Sequence, residues 1–221
     1  MTRWLYLSIL VTAAALAGSL YVWHFHYDDL PDRVATHWNI HGEPDGWTPK
    51  DNVLMVFLLL PLVMTGIVLL AIVLPWVSPK GFDVDRFRDT YGYVMALVVV
   101  LMAYLHLVIL WGGMHPEQPV DRWIVGGIFL FFALLGNVLG RVRRNFWMGV
   151  RTPWTLASET VWNRTHRLSA WLFLAFGLLG LAAVLAGVPM LVCFLGLIGA
   201  ALIPVIYSLV LYKRLEKEGK L

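Results

Sequence analysis

From residue 168 to residue 212 the chain runs for 45 positions without a charged side chain. A bilayer core of about 30 Å is crossed by about 20 helical residues. The run is therefore two spans long, and Gly187-Val188-Pro189 supplies a turn near its middle. Four further uncharged apolar runs, 4–23, 53–76, 91–111 and 123–140, are each one span long. Their apolar residues are continuous rather than alternating, which excludes a membrane β-barrel. Aromatic side chains (Trp4, Trp23, Trp76, Tyr91, Trp111, Trp123 and Tyr212) stand at the run ends, where amphipathic rings prefer the membrane interface. Hydrophobic residues make up 59% of the 221, charged residues 14%, and mean hydropathy is +0.72. Soluble domains carry about 45–50% and about 25%. The excess needs lipid, which excludes a soluble enzyme, a disordered chain and a disulfide-rich secreted domain. Cys193 is the one cysteine, so no intrachain disulfide forms.

The expected fold is all-α: a polytopic six-helix transmembrane bundle with a small extracytoplasmic cap between helices 1 and 2. Fourteen Lys and Arg residues lie in one set of connections and three (Arg33, Lys50, Arg122) in the other. The cation-rich side faces the cytoplasm by the positive-inside rule, which places both termini there. The first run is longer than a signal-peptide core and reads as a retained span. Two regions are expected. Residues 1–76 form a helix pair around an outer loop, 24–52. Residues 77–221 form four helices around a basic inner loop, 141–167.

In the outer loop, residues 34–38 suit a short strand. Gly42, Pro44, Asp45 and Gly46 predict a tight reversal, with Asp45-Gly46 the hairpin signal. Trp38 and Trp47 are expected to pack on each other or at the lipid surface. Thr48-Pro49-Lys50-Asp51 reads as a helix cap with proline in the first turn. The loop also holds His24, His26, His37, His41, Asp28, Asp29, Glu43 and Asp45, ligand types suited to zinc. Their spacing does not converge: Gly42 and Pro44 oppose a helix carrying His37 and His41, and the successive residues of His24-Phe25-His26 would point to opposite sides of a strand. A folded cap without metal or cofactor is the expectation.

The inner loop is denser in chemistry. Gly149 allows a reversal, and Thr152-Pro153 stops the preceding structure. Thr155 or Ser158 is placed to cap a new helix, with Glu159 in its first turn. Trp162, His166 and Ser169 share one face of that helix; Arg164 and Arg167 share another. Arg141, Arg143 and Arg144 read as topology anchors. The Trp, Gly, Pro and Thr residues around Arg151 read instead as a ligand or partner surface, because fixed donors beside flat aromatics give specific contacts. Within the spans, His106 and Asn137 read as neutral glue between helices. No Asp, Glu, Lys or Arg stands in mid-span, which argues against a coupled ion pump.

Leu30-Pro31, Thr36-His37-Trp38-Asn39, Gly42 and Pro44-Asp45-Gly46-Trp47 resemble an N-terminal extracytoplasmic-loop domain of unknown function found in bacterial membrane proteins. Asn145, Gly149-Val150-Arg151-Thr152-Pro153-Trp154-Thr155-Leu156, Val161-Trp162 and Thr165-His166 are similar to the signature of the SdpI family. Ala157-Ser158 stands where family members commonly show Ser-Asn. The resemblance implies a bacterial cytoplasmic-membrane protein, without cofactor, of immunity and signalling type. Its implied partners are the lipid bilayer, a secreted peptide toxin outside and a small repressor-like protein inside, with no direct contact to nucleic acid. The implied binding residues are Asn145, Gly149, Arg151, Thr152, Pro153, Trp154, Thr155, Trp162 and His166. Those of the outer loop are His37, Trp38, Asn39, Gly42, Asp45, Gly46 and Trp47.

Two other classes compete. A metal-dependent membrane enzyme would use His37, His41, Glu43 and Asp45, but needs three ligands and a base converging on one point. A small transporter would need a polar path, for which only His106, Asn137, Thr65 and a few Ser are candidates.

Overall fold

The computed structural model describes residues 2–39 and 43–221. Along the chain stand α1 (Thr2–Phe25), β1 (Arg33–Trp38), β2 (Pro44–Pro49), α2 (Val53–Val73), α3 (Arg88–Met114), α4 (Asp121–Leu139), α5 (Pro153–Ala157), α6 (Glu159–Leu185) and α7 (Met190–Lys217). Among the described residues six helices, all but α5, are long and apolar enough to cross a membrane. The double-length run folds as two helices, α6 and α7, and the turn falls where Gly187 was expected to place it. Gly187 adopts φ +78°. Val188 N–H donates to Ala183 O at 2.9 Å and Gly187 N–H to Val184 O at 3.1 Å, a left-handed glycine cap that satisfies the last carbonyls of α6.

Helix ends differ from the limits of the uncharged runs. α6 begins at Glu159 rather than 168, because Ser158 Oγ accepts from Val161 N–H at 3.5 Å and starts the helix there. Its first turns keep Glu159, Arg164 and Arg167 exposed while Val161, Trp162, Thr165, His166 and Ser169 are buried. Loss of charge marks where a helix can enter lipid, not where it starts.

The chain divides into two compact units. One comprises Thr2–Ala71 and Met95–Ile128. Its core joins Val22, Leu30, Val34, Val53, Phe57 and Leu110, with Ala15, Met64, Val68 and Val99 in a second cluster. Between these apolar layers Ser19 Oγ–H donates to Phe57 O at 2.7 Å and contacts His106 Nε2 at 2.9 Å. This buried node joins α1, α2 and α3, so His106 does hold helices together as expected.

β1 and β2 pair antiparallel, with Ala35 opposite Trp47, His37 opposite Gly46 and Trp38 opposite Pro44. Asp45-Gly46 is not the reversal, because both residues lie inside β2. Asn39 N–H donates to Glu43 O at 2.9 Å, and Glu43 N–H donates back to Asn39 Oδ1 at 3.1 Å. Asp45 and Gly46 stand inside β2, beside an irregular register. A Cβ at Gly46 would overlap the Cβ of His37, so the glycine serves a close cross-strand approach. Trp38 does not seek Trp47: its ring lies over Gly112 of α3, and Val34 lies over Gly113. Pro49 ends β2 and precedes a 3₁₀ turn at Lys50–Asn52, so it is not in the first turn of α2.

The other unit comprises Ile72–Val94 and Phe129–Leu221. Here α4 and α6 touch through backbone. A Cβ at Gly136 would overlap Leu174 N and Ala170 O, and one at Gly177 would overlap the Ala133 backbone. Lipid is as apolar as leucine, so close approach of small residues is what holds such helices together. Phe129 fills the space over Gly180 and stacks obliquely on Phe194, centroids 6.0 Å apart. Leu211 and Leu215 of α7 pack with Val161 of α6, flanked by Trp154, Tyr207 and Tyr212. Asn137 departs from its expected role: it is exposed on α4. Helix surfaces elsewhere are apolar, with Met55 76%, Leu62 65% and Leu179 65% exposed. A surface of this kind is stable against hydrocarbon, not water.

Candidate functional site

The segment between α4 and α6 is held by its own side chains. As α4 ends, Val142 O accepts from Trp162 Nε1–H at 2.8 Å. Asn145 is fully buried and uses its whole amide. Oδ1 accepts from Trp147 N–H at 2.7 Å and Met148 N–H at 2.9 Å. Nδ2 donates to Arg143 O at 2.9 Å and Met148 O at 3.1 Å. Four backbone groups of an irregular turn are thus satisfied by one residue.

His166 closes the turn from α6. Val150 N–H donates to His166 Nε2 at 3.0 Å. A backbone amide can only donate, so Nε2 carries the lone pair and the proton sits on Nδ1, which meets Trp162 O at 2.9 Å. The imidazole is therefore neutral, in the Nδ1–H tautomer. Its ring stacks on Trp162 at 4.0 Å and 17°. Gly149, at φ +106°, lies against the same ring, and a Cβ there would overlap Nε2. Glycine is required at 149 on both counts.

The next residues start α5. Thr155 N–H donates to Thr152 Oγ1 at 3.2 Å, and Thr152 N–H donates to Thr155 Oγ1 at 2.9 Å. This reciprocal cap has Pro153 at the first helical position. Thr155 Oγ1–H donates to Val150 O at 2.8 Å. Thr152 Oγ1 lies 3.1 Å from Ser208 Oγ on α7, and Ser208 Oγ–H donates to Val205 O at 2.7 Å. Two caps follow one another: Thr152 serves α5 and Ser158 serves α6, where one of Thr155 or Ser158 was expected to serve alone.

Around this frame the cations are displayed. Arg144 donates to Leu156 O at 3.1 Å and stands 5.3 Å from the Phe82 ring centroid. Arg151 donates to Phe146 O and is exposed. Trp154 is half-buried and Pro153 exposed beside it. Trp147 Nε1–H donates to Ser78 Oγ at 2.8 Å. Ser78, Phe82 and Ser208 were not singled out from sequence. Ser208 is the only serine between 170 and 221, which was the available signal for the last of them. Asn145, Gly149, Thr152, Thr155, Trp162 and His166 thus come together as a frame, and Arg151, Pro153 and Trp154 form its exposed edge.

The outer-loop residues fall in the other unit. His37 Nδ1 lies 2.5 Å from Asp45 Oδ1, both exposed, and His26 Nδ1 lies 2.9 Å from Asp29 Oδ2. Asn39 Nδ2 donates to Glu43 Oε2 at 3.0 Å. Trp47 is 39% exposed opposite Ala35. Gly42 and His41 lie outside the described residues. Among the described residues no three His, Cys, Asp or Glu side chains gather where a metal ion could be held. Tyr27 donates to Asp51 at 2.9 Å. That bond, ahead of desolvation and the charges of Asp51 and Asp28, lifts its phenol above the ordinary 10.0. Two buried side-chain polar atoms lack a partner among the described residues, Trp38 Nε1 and Thr165 Oγ1.

Six lipid-length helices with apolar outer surfaces and a self-locked polar segment define a multi-pass α-helical membrane protein. Residues 141–208 match the SdpI/YfhL protein family, and residues 14–65 match a domain of unknown function, DUF1648. These matches fall on the two loops whose residues carry the resemblance. It is 23% identical over 164 residues to the immunity protein SdpI of Bacillus subtilis (strain 168), across 74% of this chain and 73% of that protein. No solved structure matches the chain.

Proposed function

We propose that this chain is a non-enzymatic immunity protein of the cytoplasmic membrane. In this reading a peptide toxin or similar hydrophobic ligand is met by the spans and the hairpin with His37, Trp38, Asn39, Gly42, Asp45, Gly46 and Trp47. The 141–167 segment faces the cytoplasm and engages a small protein partner through Arg151, Pro153 and Trp154. Both termini lie inside, as the cation distribution favours. The likeness to an immunity protein across about three quarters of both chains carries the reading. The locked frame from Asn145 to His166 supports it physically: a surface fixed before binding loses less freedom on binding. Ligand and partner are linked only if each binds one of two helix arrangements more tightly. Residues 1–76 would supply the outward element and 77–221 the responding one.

The test is expression in B. subtilis lacking its own SdpI, challenged with toxin-producing cells. The wild-type chain is expected to protect. Arg151→Ala and Trp154→Ala should insert normally yet lose protection or partner recruitment. No protection by the wild-type chain, or full protection and recruitment with both variants, would overturn the proposal.

A further inference from the structure

The α4–α6 pair carries a feature that the immunity reading does not use. The two helices run antiparallel and meet through Ala133, Gly136 and Gly140 on one side and Ala170, Leu174 and Gly177 on the other. At 3.6 residues per turn each residue advances about 100°. Asn137 therefore lies about a quarter turn from the contact line on α4, and Arg141 follows in the turn just past that helix, where its backbone N–H donates to Val138 O at 2.9 Å. Arg164, Arg167 and Trp171 lie at a similar angle on α6, and the antiparallel run brings both sets to the same side of the pair. All five are exposed, Trp171 at 68%. The cations crowd at one end: a Cβ at Gly140 would sit 3.9 Å from the Cα of Arg167. Beyond them the same side turns apolar, through Leu134 on α4 and Trp171 on α6.

No carboxylate answers these arginines among the described residues. Elsewhere carboxylates do pair with cations, at Arg88–Asp85, Lys213–Glu216, Arg214–Glu218 and Lys220–Glu218. Three guanidinium groups without counter-charge, with an amide beside them and an apolar shelf one turn deeper, match a phosphate headgroup and its acyl chain. Guanidinium binds phosphate in a fork, tryptophan settles at headgroup depth, and basic pockets between helices hold anionic lipid headgroups. A soluble anion would use the arginines and leave the shelf bare. A second protein copy would have to bring its own carboxylates to the same spot.

We propose that the side of the α4–α6 pair marked by Asn137, Arg141, Arg164, Arg167 and Trp171 is a binding site for an anionic phospholipid. The headgroup sits on the three arginines and one acyl chain lies along Trp171 and Leu134. The site does not use Arg151 or Trp154, so its failure leaves the immunity reading untouched.

The full chain, purified in detergent, is examined by native mass spectrometry after addition of phosphatidylglycerol or phosphatidylcholine. Retention of phosphatidylglycerol is expected to exceed that of phosphatidylcholine. The variant Arg141→Gln/Arg164→Gln/Arg167→Gln should weaken it by about tenfold or more, while Lys213→Gln/Lys217→Gln/Lys220→Gln removes equal charge and leaves retention near wild type. Trp171→Ala should weaken both lipids. Equal retention of the two lipids, or equal loss in both triple variants, would overturn the site. A dimer in the spectrum that the arginine variant dissolves would assign the face to a second copy instead. A photoreactive phosphatidylglycerol on the wild-type chain guards against misfolded variants. Its crosslinks should map to 134–141 and 164–171, and crosslinks confined to other helices would contradict the proposal.

Discussion

The backbone N–H of Val150 donates to Nε2 of His166 at 3.0 Å, so one neutral ring fixes the reversal at Gly149. His166→Phe keeps a flat ring on Trp162 but leaves a buried amide without an acceptor. The expected loss is about 1–3 kcal/mol, read as a lower thermal midpoint in detergent. Gly149→Ala should lose at least as much, since it adds left-handed strain to overlap with the same ring. A midpoint unchanged by both variants would show that the loop is not held through His166.

Asn145 offers a separate handle on the frame. Asn145→Ala abandons four backbone partners and should cost about 2–4 kcal/mol. Asn145→Asp should be no milder, because it retains the acceptor and replaces the donor to Arg143 O and Met148 O with a buried charge. Trypsin cleavage at Arg143, Arg144 and Arg151 should accelerate in both variants. Unchanged cleavage rates would mean that the turn persists without the amide.

Ser19 and His106 should behave as a unit. Ser19→Ala removes the hydroxyl that meets His106 Nε2, whereas His106→Leu leaves Ser19 Oγ bonded to Phe57 O. The double variant is expected to lose less than the two single losses added, with a coupling of about 0.5–2 kcal/mol. Additive losses would show that the 2.9 Å contact contributes nothing to the stability of that unit.

Glu218 sets a pH expectation at the end of α7. Hydrogen bonds from Lys220 and then Arg214 hold its carboxyl at about 2, below the ordinary 4.5. The folded value is the lower one, so the contribution is present above about pH 4.5 and fades as pH falls through about 2. The group is exposed and screened, so the effect on global stability is small. A carboxyl-carbon NMR titration should find Glu218 ionised at pH 4. Lys220→Ala should raise its midpoint more than Arg214→Ala; the reverse order would contradict the assigned cause.

The spans were legible because charge cannot enter lipid cheaply, and the Gly187 turn because little else interrupts 45 uncharged residues. The buried face of α6 was legible too, since Trp162, His166 and Ser169 obey helical spacing. The position of the hairpin reversal was not. Asp45-Gly46 is a turn signal only when local preference decides, and here the crowding of Gly46 against His37 across the strands decides instead. The Asn145 amide, the His166 tautomer and the Thr152–Ser208 contact were equally hidden. Each depends on which backbone group a turn brings within 3 Å, and spacing along the chain carries no such distance. The segment 141–167 could be marked as chemically rich from its residue types, but its division into a locked frame and an exposed edge required the fold.

An outward hairpin and a cytoplasmic 141–167 segment are what the proposed function requires. In a Cys193→Ser background, His37→Cys and Arg151→Cys are reacted in intact cells with a membrane-impermeant maleimide. Labelling of His37→Cys from outside, with Arg151→Cys reached only after permeabilisation, is the predicted result. Labelling of Arg151→Cys in intact cells, with His37→Cys protected, would contradict it.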